Sequence, residues 1–257
     1  MEYYVVKERS SKIREIARYA LAGYWKKVIA AMLIYYFVSS GVGIILDSFF
    51  TFSQNVDLYG NDFAANLPYG GSIYSFVVGG PLEFGITMYL LAFFRAKQTD
   101  NKIIFEGFSY FGKSFILMLL ISVKVLLWSL LLVIPGIVAT FKYSQAFYVM
   151  VDNPHLTPGQ CIKESCRIMN GNKMSYFFLG LSFIGWIILV TIPGSVIGAI
   201  FSEIYASDIS VIVSILSGIP TVFIDVYMLV AYTAFYELAT RRLVVVNEEL
   251  PETEETL

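Results

Sequence analysis

Apolar positions along this chain run in long blocks, not in the short stripes of a soluble domain. Val28–Phe50, Ser72–Phe94, Ser114–Ile134, Gly136–Val151, Met174–Phe201 and Ile209–Leu238 are the blocks, and a helix needs about 20 such residues to cross a bilayer. Gly79-Gly80-Pro81 interrupts the second, Pro135-Gly136 closes the third, and Pro193-Gly194 and Pro220 lie within the fifth and sixth. The fourth is short for a crossing. The pattern predicts an all-α fold: a polytopic membrane helix bundle of six spans, arranged as three hairpins.

An amphipathic segment precedes each hairpin. Ile13, Ile16, Ala17, Ala20 and Tyr24 form one stripe, opposite Lys12, Glu15 and Arg18; Ile104, Phe108, Phe111 and Phe115 form the second; Ile162, Cys166 and Met169 form the third. This is the 3.6-residue spacing of a helix lying in the membrane interface. Thr157 and Gln160 form a capping box for the third, with Pro158 at its first position and Asn170-Gly171 at its end. Trp128 precedes Pro135 by seven residues, and Trp186 precedes Pro193 by seven. Tyr143–Tyr148 resembles Tyr232–Tyr236. The expected organisation is one membrane domain, 1–245, with repeat units near 10–94, 102–151 and 157–240, all in one orientation, plus an acidic disordered tail, 246–257. Chance likeness between apolar helices is the competing explanation.

Charge sets the orientation. Seven Lys/Arg precede the first span; Arg95, Lys97, Lys102 and Lys113 follow the second, Lys163, Arg167 and Lys173 follow the fourth, and Arg241 and Arg242 follow the sixth. The intervening loops on the other side hold none, so the positive-inside rule places both termini in the cytoplasm. The first 27 residues do not read as a cleavable signal. Composition agrees: 57% hydrophobic, 15% charged and a mean hydropathy of +0.67 exclude an ordinary soluble domain. A net charge of −2 argues against nucleic-acid binding by bulk charge.

Glu83, Lys124, Lys142 and Asp225 are the buried-charge candidates, since each falls within an apolar block. Lys124 is eleven residues beyond Lys113, roughly 16 Å along a helix and out of snorkelling reach of the interface. Intramembrane charges are costly and functional by default, and pairing lowers the cost. Pairing of a lysine with Glu83 or Asp225 is therefore expected, and a structural pair stands as the alternative to a functional one. Cys161 and Cys166 lack CxxC spacing, the single His155 has no histidine partner for a metal, and no nucleotide or protease motif occurs. No catalytic residue, metal site or cofactor is expected.

Several positions together carry a resemblance: Pro135, Gly136, Asp152, Asn153, Pro154, Ser165, Gly171, Lys173 and Trp186, with Gly80-Pro81-Leu82, Gly85 and Phe235-Tyr236-Glu237. From about residue 10 to 240 the chain resembles the bacterial multi-pass family catalogued as domain of unknown function 975, and is distantly similar to the membrane domain of glycerophosphodiester phosphodiesterases, whose soluble catalytic domain has no counterpart here. The resemblance implies an envelope protein with no assigned activity. The residues point to a non-enzymatic transport-type or envelope accessory protein of the cytoplasmic membrane. A membrane-embedded lipid-modifying enzyme and a scaffold docking a cytoplasmic protein partner are the alternatives. Anionic inner-leaflet lipids are the expected partners of the basic amphipathic segments, and nucleic acid is not.

Overall fold

The computed structural model describes residues 3–58, 61–204 and 207–244; the acidic tail lies outside them. Helices dominate. They are α1 (Ser10–Leu21), α2 (Trp25–Tyr36), α3 (Val42–Phe49), α4 (Gly70–Ala96), α5 (Lys102–Glu106), α6 (Phe111–Leu131), α7 (Val133–Tyr143), α8 (Ala146–Asp152), α9 (Pro158–Ile168), α10 (Lys173–Ile204) and α11 (Ser207–Ala239). A π-turn, Phe37–Gly41, fuses α2 to α3, and a 3-10 turn, Gly107–Tyr110, fuses α5 to α6. The segment expected to be a loop after the first span is instead a hairpin, β1 (Thr51–Leu58) with antiparallel β2 (Asn61–Pro68), in register from Thr51 opposite Pro68 to Leu58 opposite Asn61.

Among the described residues five helical stretches are long and apolar enough to cross a membrane: Trp25–Phe49, Gly70–Ala96, Lys102–Leu131, Lys173–Ile192 and Pro220–Ala239. Burial divides them. The apolar windows of α4 and of the second half of α11 are 61% buried, against 22% for the first stretch and 11% for those of α6 and α10. Two helices thus form the centre, and three present apolar side chains outward, as lipid-facing helices do.

The expected fourth span is not among the five. It is two pieces, α7 and α8, parted by a turn at Ser144-Gln145. The pair nonetheless returns the chain to the end from which α6 departs, because Lys113 at the base of α6 donates to the Pro154 carbonyl just past α8. Ser165 of α9 patches the turn: its hydroxyl donates to the Lys142 carbonyl at 2.9 Å and accepts from the Gln145 N–H at 3.1 Å. Both backbone groups would otherwise be orphaned in an apolar interior.

Pro135 behaves as expected, and Pro81 does not. Gly79-Gly80-Pro81 does not break α4, which runs unbroken from Gly70 to Ala96. The glycines of this region serve close approach instead. A Cβ on Gly85 would overlap the Ile104 carbonyl, so only glycine lets the α5 segment lie directly on α4. At Pro135 the helix ends: Leu132 is extended, and Pro135 falls in the first turn of α7, where its missing N–H costs nothing. At Pro193 α10 simply continues. The two Pro-Gly pairs therefore do not shape equivalent turns, although Trp128 and Trp186 both face outward.

The amphipathic segments pack on the spans of the preceding hairpin. α5 and the 3-10 turn lie on α4, α9 lies on α6, α7 and α8, and α1 closes the ring by packing on α11 and α10. The buried face of α1 is Ile13, Ala17, Ala20 and Leu21, matching its predicted stripe. The capping box forms at Thr157 and Gln160. Gly171, at φ +83°, turns the chain from α9 into α10, as Gly23, at φ +80°, turns it from α1 into α2.

Candidate functional site

Three inner helices carry an Ala-Phe-aromatic triplet: Ala92-Phe93-Phe94 near the end of α4, Ala146-Phe147-Tyr148 at the start of the short α8 and Ala234-Phe235-Tyr236 near the end of α11. Here their ends converge on an ionic knot. Arg95 bridges two carboxylates, donating to Asp152 at 2.7 and 3.2 Å and to Glu237 at 2.5 and 3.0 Å. Tyr236 donates its hydroxyl to Asp152 at 2.5 Å, and Arg242 donates to the same carboxylate. Tyr148 stacks on Tyr236, ring centroids 5.0 Å apart, and its hydroxyl meets that of Thr233 at 3.2 Å. Burial alone would raise the Asp152 pKa. The hydrogen bonds from Arg95 and Tyr236 and the charges of Arg95 and Arg242 outweigh it and hold the carboxyl below the usual range.

Asn172 organises the neighbouring corner. Buried at the start of α10, it donates to the carbonyls of Tyr4 and Ile168 at 2.9 and 2.6 Å and accepts from the Val6 N–H at 2.8 Å. Tyr4 in turn donates its N–H to the Ala239 carbonyl at 3.0 Å. The N-terminal strap, the α9–α10 corner and the end of α11 thus share one end of the bundle with the ionic knot. Tyr3 donates to Glu164, and burial with that bond pushes its hydroxyl up to about 12.

The carboxylates inside the spans have tyrosine partners rather than lysines. Tyr35 donates to Glu83 at 3.2 Å and Tyr36 donates to Asp225 at 3.0 Å. These neighbours on α2, rings 5.6 Å apart, thus reach α4 on one side and α11 on the other. Glu83 stands apart. From Gly80 to Leu91 every residue of α4 is buried or half-buried except Glu83, which is exposed although the bundle surrounds it. Earlier on the same helix Ile73, Phe76 and Val77 are exposed, so Glu83 lies just past the outward-facing first half of α4, at the start of its buried half. Asp225 lines a lateral cleft of about 460 Å³ between α2 and α11.

The expected pairing with lysine does not occur. Among the described residues Lys124 and Lys142 enter no ion pair; Lys124 is exposed on the outer face of α6, and Lys142 is half-buried in the last turn of α7. The four charges therefore do not form one site. Sequence reasoning weighed charge against charge and overlooked the phenol, which satisfies a buried carboxyl without a counter-ion.

The motif positions act on backbone and packing. Asp152 is the hub of the knot, the Asn153 N–H caps α8 by donating to the Val149 carbonyl at 2.9 Å, Pro154 offers its carbonyl to Lys113, and Ser165 patches the α7–α8 turn. Gly136 lies against Ser129 in the α6–α7 turn, Lys173 opens α10 half-buried, and Trp186 is exposed beside α1. Arg95, Tyr236 and Asn172 were not singled out as site residues. A polar residue directly after an Ala-Phe-aromatic triplet was the available signal for Arg95 and Glu237. Cys161 is buried, and its thiol is pushed up to about 11, chiefly by burial. Among the described residues, no three His, Cys, Asp or Glu side chains gather into a metal-ligand group.

No curated protein and no solved structure matches the chain. One family does, by its sequence model, over the stretch that holds α7 to α11, Ser165, Asp152 and Glu237. Over residues 129–242 the chain, with its apolar, membrane-type helices, is similar to the family described as Protein of unknown function (DUF975).

Proposed function

We propose that the protein is a non-enzymatic, transport-type protein of the bacterial cytoplasmic membrane, with both termini in the cytoplasm and six crossings, α7–α8 serving as the fourth. Three arguments support the frame. The chain returns to one end of the bundle after α4, α8 and α11, since Arg95, Asp152 and Glu237 meet there. Sixteen of the 18 Lys/Arg fall in the four segments at that end, which the positive-inside rule assigns to the cytoplasm. The packing of each amphipathic segment on the preceding hairpin, with an Ala-Phe-aromatic triplet on each of α4, α8 and α11, supports a reading as three parallel repeats about the membrane normal.

Glu83 is the observation that carries the function. An exposed carboxylate midway along one of the two most buried apolar helices, hydrogen-bonded to Tyr35, offers a proton or a cation a polar station inside the bilayer. Proteoliposomes loaded with a pH-sensitive dye and given an outward potassium gradient test the reading. Wild-type protein is expected to move ions well above protein-free vesicles, and Glu83→Gln to remove that excess. Equal leak with and without protein would refute transport and leave the envelope accessory role.

A further inference from the structure

A second concavity lies away from Glu83, where α1 crosses α10, α11 and the start of α2. Its volume is about 360 Å³, and Ser11, Arg14, Arg18, Trp25, Trp186 and Phe223 line it. Arg14 and Arg18 are one helical turn apart, so both guanidiniums face the same way. No carboxylate lines the cleft. Glu15, the acid nearest in sequence, is held by Lys12 at 3.2 Å. Arg14 is anchored: one terminal nitrogen donates to the Ser182 carbonyl at 3.1 Å and the guanidinium lies 5.9 Å over the Phe183 ring. Its Nε, however, is buried without an acceptor among the described residues. A buried, unsatisfied guanidinium nitrogen costs free energy until an acceptor arrives. Arg18 is exposed and makes no hydrogen bond or ion pair among the described residues.

The apolar half of the site continues upward. Phe223 also lines the lateral cleft of about 460 Å³ along the α2–α11 seam, whose walls include Ile29, Leu33 and Val222, with Asp225 on one wall bonded by the Tyr36 hydroxyl. A cationic, hydroxyl-bearing end, two indoles at the rim and an apolar furrow running along two spans match one kind of molecule in shape and polarity. Indole rings favour the headgroup level, and arginine is suited to bidentate phosphate recognition.

We infer that this cleft binds an anionic phospholipid of the surrounding bilayer, its phosphate between Arg14 and Arg18 and an acyl chain along the α2–α11 furrow. Among the described residues no carboxylate lines the end that holds Arg14 and Arg18, which disfavours a zwitterionic headgroup, whose ammonium would have no partner there. The furrow disfavours free phosphate, which would leave it empty. The inference is independent of ion movement at Glu83.

Trp25 and Trp186 supply the readout. In a Trp128→Phe background they are the remaining tryptophans, and brominated lipid quenches an indole it touches. The purified protein is placed in phosphatidylcholine vesicles containing a minor, equal fraction of dibrominated phosphatidylglycerol or dibrominated phosphatidylcholine. Brominated phosphatidylglycerol is expected to quench more strongly. Arg18→Gln, which removes no intramolecular bond, is expected to lower that preference roughly fivefold, the worth of one basic residue at an anionic surface. Lys12→Gln on the other face of α1 should leave it unchanged. Equal quenching by the two lipids overturns the proposal, as does an equal loss in Lys12→Gln, which would reveal bulk charge alone. Competition by inorganic phosphate with no effect of the brominated chain would assign the site to a soluble anion and overturn it too.

Discussion

Arg95 is the residue on which the polar end of the bundle depends. It alone bridges α8 and α11 from α4, and the two carboxylates it holds have side chains only 5% exposed. Replacing it with methionine leaves both carboxylates short of a partner, and removing one member of a buried ionic cluster typically costs about 3–5 kcal/mol. Arg95→Met is therefore expected to lower the detergent-solubilised melting temperature sharply, with Arg95→Lys intermediate because an ammonium cannot fork between Asp152 and Glu237. Acid should expose the same dependence. A carboxyl whose folded pKa is depressed stabilises the fold at every pH above its unfolded value of about 4 and loses that contribution as the pH falls further. Melting measured between neutral pH and pH values below 4 should show an acid-labile component in the wild type. Asp152→Asn should be less stable at neutral pH and should lack the part of that component due to Asp152.

At the scale of elements, small residues decide what prolines do not. Ser165 completes the backbone bonding of the α7–α8 turn from a neighbouring helix, so Ser165→Ala leaves a buried N–H and a buried C=O unpaired, costing roughly 1–3 kcal/mol per orphaned group. Hydrogen exchange should then rise at Gln145 and Ala146 while α4 stays protected. Uniform loosening of all helices would contradict the local role. Gly85→Ala should be worse, because the added methyl meets backbone rather than a yielding side chain. The apolar blocks, the amphipathic stripes and the capping box were legible in the sequence because each is a local periodicity. So was the stop at Pro135-Gly136. The fate of Pro81 was not, since whether a proline breaks a helix depends on what packs against the turn. Pro81 sits where the Gly107 backbone presses on α4 and holds it. Beside Pro135 the helix reverses at an extended Leu132.

Across the whole molecule, two inner helices and the α7–α8 return carry the polar contacts, while α2–α3, α6 and α10 present apolar faces outward. The side of each contact was the least legible feature. Composition named the charges in the spans but not their partners, and the pairs that formed join residues 48 and 189 positions apart through tyrosines. The outer-face position of Lys124 follows from which face of α6 packs inward, a tertiary fact. The β hairpin after α3 carries no strong alternation, and no strand signal stood out there. The six-span topology depends on α7–α8 being a true crossing, because that crossing sets the parity of every later segment. The direct test is impermeant maleimide labelling of single cysteines in intact cells, in a Cys161→Ser/Cys166→Ser background. A cysteine replacing Leu132, at the α6–α7 turn, should label without lysis, as should one replacing Asn61, while those replacing Asp100, before α6, and Lys163, after α8, should label only after permeabilisation. Labelling of position 163 in intact cells, with positions 61 and 132 also labelled, would show that α7–α8 does not carry the chain back across the membrane and would contradict the six-span topology.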